Sequence, residues 1–101
     1  MSSPLIVQLD MAQFCEATDL PAVYVIEIVE HGILEPQGTA PKDWRFNDVE
    51  LALAKRAAKL RRDLDLEWEG VALALDLLDE VRQLRAENQM LKQRLGRLLL
   101  D

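Results

Sequence analysis

The chain has 101 residues, half of them apolar and 30% charged, which gives one domain with a modest core and excludes a disordered chain. Twelve Lys and Arg against eighteen Asp and Glu leave a formal net charge of -6. That balance opposes nucleic acid and anionic membranes unless basic residues gather in one place, as Lys55, Arg56, Lys59, Arg61 and Arg62 do.

A lone cysteine, Cys15, leaves no internal disulfide and no thiolate metal cluster, and no cofactor is expected. The first residues lack the pattern of a secretory signal, and no apolar run reaches the roughly 18 residues that span a bilayer. The cytoplasm is the expected compartment.

In chain order, Leu5 to Leu9 suggest a short strand. Asp10 followed by Gln13 reads as a capping box that starts a first helix, with Met11, Phe14, Cys15 and Thr18 on one face. Asp19-Leu20-Pro21 opens a second helix, the proline taking its first position. The expected apolar face of this helix is Ala22, Val25, Ile26 and Val29, flanked by Val23 and Ile28. Gly32 supplies a left-handed cap onto which Ile33 folds back. Two short helices around a tight turn make a helix-turn-helix candidate.

Ile33-Leu34-Glu35 and Trp44-Arg45-Phe46 read as two short strands of a hairpin, or wing, across a Gly- and Pro-containing connection. Asn47 and Glu50 form a second capping box, with Phe46 placed to staple onto Leu51. The third helix is expected to bury Val49, Leu53, Ala57, Leu60 and Leu64 and to expose Lys55, Lys59 and Arg62. After a break at Asp65 to Glu67, a long helix runs from about Trp68 to Leu99. The expected organisation is a winged helix-turn-helix domain over residues 1–66 and a dimerisation helix over 67–101, in one compact unit.

That helix carries leucine at every seventh position: Leu77, Leu84, Leu91 and Leu98. Ala74, Val81, Asn88 and Leu95 alternate with them as a positions of a coiled coil. The expected dimer seam is Leu77, Val81, Leu84, Asn88, Leu91, Leu95 and Leu98. Asn88, with Glu80–Arg85 and Glu87–Lys92 at interhelical spacing, favours a parallel pair.

The run Val25 to Pro36, ending Gly32-Ile33-Leu34-Glu35-Pro36, resembles the second helix and first wing strand of a MerR-type domain. Asp43-Trp44-Arg45-Phe46 with Asn47-Asp48 resembles the second wing strand entering the third helix. Within that set the chain is most similar to the CbpM family of chaperone modulators. Phe14-Cys15, Trp44-Arg45-Phe46, Arg61 to Leu66 leading into Trp68, Gly70 to Leu75, and Asn88 to Leu95 carry the likeness. It extends over nearly the whole chain and is specific in sum, without a short signature.

The resemblance implies a mostly α fold that stops after one coiled segment. It also implies binding to the J-domain of the DnaJ-like co-chaperone CbpA, which prevents stimulation of the Hsp70 chaperone DnaK and reduces DNA binding by CbpA. It favours the antiparallel helix pair, so both directions stay open.

The alternative is a MerR-like regulator that reads DNA itself, supported by Arg45 and the basic third helix. A reading helix uses Arg, Lys, Asn or Gln on bases and phosphates. Pro21 to His31 contains none of these, and its charges are Glu27 and Glu30. An acidic partner-binding surface is expected instead: Asp63, Asp65, Glu67, Glu69, Asp76, Asp79 and Glu80, seven acids within eighteen residues. Glu27 and Glu30 form an alternative acidic candidate. Trp68 is either an interface anchor or part of the core.

Catalysis finds little support. The only histidine is His31, beside a helix cap, Cys15 lies on an apolar face, and Ser2 and Ser3 stand at the terminus. No phosphate loop, metal spacing or triad set is present.

Overall fold

The computed structural model describes residues 8–100, and the side chains of residues 8–99. Four α-helices follow in order: α1 Met11–Thr18, α2 Ala22–Glu30, α3 Asp48–Leu64 and α4 Trp68–Leu100. Both capping boxes form. Asp10 accepts from the Gln13 amide at 2.9 Å and Gln13 accepts from the Asp10 amide at 3.0 Å. Asn47 and Glu50 repeat this at the head of α3. These reciprocal bonds satisfy amides that helix starts leave unpaired.

Asp19 closes α1 in the left-handed conformation, φ 57°, and turns the chain within three residues into α2. Pro21 is the N-cap of α2 and not its first helical residue. Gly32, φ 75°, ends it as expected, and the Ile33 amide reaches back to the Ile28 carbonyl at 3.1 Å. Asp65 takes the same left-handed conformation after α3, φ 51°, and separates it from α4.

The core is aromatic at its centre. Phe14 of α1 stacks on Phe46 with ring centroids 4.0 Å apart, and Trp44 meets Phe46 edge-on at 6.2 Å. Val25, Ile28, Leu34, Ala54, Ala57, Trp68, Val71 and Leu75 complete it. Burying each large apolar side chain contributes about 1.5–3 kcal/mol. α1 packs on α2 and α3, and α3 packs on the start of α4.

Three expectations are corrected. The wing strands do not form: no strand is present among the described residues, only the antiparallel bridges Leu9–Phe46 and Gln37–Arg45. Phe46 commits both its amide and its carbonyl to Leu9, while Arg45 pairs with Gln37, so Ile33 to Glu35 have no rung to join. Pro36 has no amide to give, and Pro41–Asp43 fold as a 3-10 turn. Of the suggested strand Leu5 to Leu9, residues 5–7 lie outside the described residues.

In α2, Ile28 and Val25 are the buried pair, and Ala22 is exposed. In α3, Val49 is 70% exposed and Leu64 is 56% exposed, whereas Ala54, Ala57 and Ala58 are buried. The leucine spacing indicated the apolar side of α3, but the contact line lies where small residues let α1 and α4 come close. Replacing Val49 or Leu64 by Ala is therefore expected to shift unfolding free energy by no more than about 0.5 kcal/mol. Ala57→Leu is expected to cost about 1–3 kcal/mol through overpacking. Urea denaturation of the three variants checks this.

Candidate partner-binding surface

The start of α4 is bound into the domain and the rest is not. Trp68, Val71 and Leu75, spaced to share one helix face, are buried against α2 and α3. Trp68 is 3% exposed and meets Tyr24 of α2 edge-on at 5.8 Å, so it is a core residue that ties α2 to α4.

This docking brings acidic residues from two elements together. A cleft of about 260 Å³ between α2 and α4 is lined by Glu27, His31, Glu67, Trp68 and Glu69. A second hollow of about 160 Å³ adjoins it through His31 and has Asp76 and Asp79 on its rim, over Ile33, Leu53, Ala72 and Leu75. Glu27 of the alternative acidic candidate thus shares a cleft with Glu67 and Glu69. The carboxylates gathered around the two hollows make this face electronegative.

Four expected site residues stand apart. Glu30 and Glu80 are exposed and line neither hollow. Asp63 pairs with Lys59 on the exposed side of α3, and Asp65 is the α3 cap. Asp79 approaches Arg82 at 3.7 Å, so the acidic stripe is partly balanced at its far end.

Beyond Leu75 the seam residues Leu77, Val81, Leu84, Asn88, Leu91, Leu95 and Leu98 are all exposed. Leu84 is 57% exposed and Leu98 is 72% exposed. The exposed apolar residues thus recur at heptad spacing along the projecting part of α4.

Sequence reasoning missed His31 as the residue joining the two hollows, and Tyr24 and Arg61 around Trp68. The Arg61 guanidinium lies over both rings, 4.8 Å from the Tyr24 centroid and 5.1 Å from the Trp68 centroid. Only the reversal of chain direction at Asp65 makes these residues neighbours, and no local pattern carries that. Partial burial pushes the Cys15 thiol above its ordinary pKa, which keeps it protonated and unsuited to nucleophilic attack. Among the described residues no acidic or thiol cluster has metal-holding geometry, and no helix is long and apolar enough to cross a membrane.

A family model described as "MerR HTH family regulatory protein" matches residues 9–93. With the fold, this defines a MerR-type helix-turn-helix protein. The chain is 66% identical over 97 residues to "Chaperone modulatory protein CbpM" of Pseudomonas putida, with 96% of each chain covered. It is 64% identical to the protein of that name from Pseudomonas entomophila, over 96% of each chain. It is 40% identical to the one from Salmonella paratyphi B, over 88% of each chain. The chain belongs to the CbpM family.

The Lys59 ammonium, by hydrogen bond and charge, holds the Asp63 carboxyl below its ordinary 3.8. A lowered pKa in the folded state means the pairing is present above the ordinary value and lost as pH falls through the lowered one. Lys59→Ala is expected to raise the Asp63 midpoint toward its ordinary value, with the Arg62 charge still lowering it. Carboxyl-detected NMR titration of both proteins checks the direction.

Proposed function

We propose that this protein modulates a chaperone system by binding the J-domain of a DnaJ-like co-chaperone of the CbpA type. Binding blocks stimulation of Hsp70 (DnaK) and reduces DNA binding by the co-chaperone. The observation that carries this reading is the electronegative surface where α2 meets α4, with Glu27, Glu67, Glu69, Asp76 and Asp79 around two adjoining hollows. J-domains present a basic helical face to Hsp70, and a competitor of opposite charge covers that face. The names of the family relatives, chaperone modulatory proteins, support the same reading. The action is occupancy, not chemistry, and its expected site is the cytoplasm.

Direct DNA reading is disfavoured on this chain. α2 carries Glu27 and Glu30 where a reading helix needs donors. Within a Debye length of about 8 Å, those carboxylates repel phosphate.

Asp76→Lys with Asp79→Lys is expected to weaken J-domain affinity at least tenfold, or about 1.4 kcal/mol, mainly through slower association. Lys55→Glu with Lys59→Glu, on the far face of α3, is expected to leave it unchanged. Surface plasmon resonance against an immobilised J-domain reads both, and unchanged affinity in the first pair contradicts the assignment.

The protein is further proposed to act as a homodimer through the exposed seam of α4, since α4, 33 residues and about 50 Å long in all, projects beyond the domain after Leu75. Leu84→Ala with Leu91→Ala is expected to give monomers by light scattering, with the domain's near-ultraviolet circular dichroism retained. A monomeric unmutated chain at tens of micromolar would remove this assignment.

A further inference from the structure

On the other side of Trp68 the surface changes sign. A hollow of about 200 Å³ lies between the turn before α2, the last turns of α3 and the start of α4, with Asp19, Pro21, Tyr24, Arg61, Arg62 and Trp68 in its lining. Two features set it apart from ordinary solvated charge. Arg61 forms no ion pair among the described residues, although the protein has an excess of acids. Asp65 is four residues on, where a continuing helix would bring it alongside, but the left-handed cap ends the helix there. The guanidinium lies instead against two aromatic rings that meet edge-on, which restrains it without using its donors.

The second feature is unmet hydrogen-bonding demand. Arg61 Nε and Trp68 Nε1 are both buried, and neither has a partner among the described residues. They belong to residues lining the same hollow. Buried donors are almost always satisfied, so two unpaired ones on adjoining side chains mark unmet hydrogen-bonding demand beside the hollow. α2 begins beside them with no side-chain cap, which adds partial positive charge. Asp19 is the one acid in the lining, against two arginines.

We infer that this hollow binds a carboxylate side chain of a polypeptide, gripped by the forked donors of Arg61 and flanked by apolar contact with Tyr24 and Pro21. A planar carboxylate matches a restrained guanidinium edge with two parallel hydrogen bonds. The net charge of -6 works against a polyanion such as nucleic acid, whereas a single carboxylate carried next to apolar residues meets little of that repulsion. Since Trp68 also lines the acidic cleft, a partner lying across it meets negative charge on one side and positive charge on the other. The carboxylate site itself stands whether or not that partner is a J-domain.

The test uses the full-length chain labelled with nitrogen-15. Its two tryptophans give separate indole resonances: Trp68 reports on the hollow, and Trp44, in the core beside Phe46, reports on folding. Three probes are titrated: a capped Ala-Glu-Leu-Ala peptide, its Ala-Gln-Leu-Ala twin, and inorganic phosphate. The expected result is a saturable shift of the Trp68 indole with the Glu peptide and at least tenfold weaker binding of the Gln peptide. Arg61→Gln and Arg62→Glu are each expected to weaken the Glu peptide at least tenfold with the Trp44 indole unmoved. Should Arg61→Gln disturb Trp44, the exposed Arg62→Glu variant decides. No saturable Trp68 shift, or equal binding of both peptides, overturns the proposal. Phosphate binding tighter than the Glu peptide overturns the assignment to a polypeptide carboxylate.

Discussion

The burial of Trp68, Val71 and Leu75 against α2 and α3 is the contact on which the rest of the molecule depends. It is confined to the first turns of α4, and it fixes the direction in which the remaining helix leaves the domain. It brings Glu67 and Glu69 to Glu27, and Asp76 and Asp79 to the end of α2. It also creates the enclosure in which Arg61 lies across two rings. Weakening this one contact would separate both charged hollows into unrelated surface residues.

The helix-turn-helix of this chain departs in its charges from a DNA-reading one. In its DNA-reading form the second helix must offer donors to bases and cations to phosphates. α2 keeps the backbone course, with a tight left-handed turn at Asp19 and a glycine stop at Gly32, while its exposed positions are apolar or acidic. The basic residues cluster on α3, where Lys59 is paired with Asp63 and Arg61 lies over the Tyr24 and Trp68 rings. Two of those cations are therefore already engaged.

Much of this was legible in the residues. Asp10 with Gln13 and Asn47 with Glu50 announce helix starts through local bonds that need no tertiary context, and both formed. The glycine at 32 and the break at Asp65 were equally local. Harder to see was what depends on size or on distant partners. The expected apolar face of α3 held at Ala57, but Val49 and Leu64 are exposed, because close helix approach selects alanines and the contact line runs through Ala54, Ala57 and Ala58. The wing strands failed because Phe46 pairs with Leu9, far away in sequence. In the candidate site, the acids of α4 were readable as a stripe. Their union with Glu27 across His31 was not, because it follows from how α4 docks.

The seam from Leu77 to Leu98 continues the helix that carries Glu69, Asp76 and Asp79, so the proposed self-association and the proposed partner binding would be mechanically joined. A second copy on the seam would hold two acidic surfaces at a fixed separation. The central claim is that the converted helix-turn-helix grips a cationic polypeptide where α2 meets α4. Chemical-shift mapping of the nitrogen-15 chain with an unlabelled J-domain tests it most directly. The account expects perturbations at Glu27, His31, Glu67, Glu69, Asp76 and Asp79. Perturbations centred on Lys55, Lys59 and Arg62, or none at saturating J-domain, would contradict it.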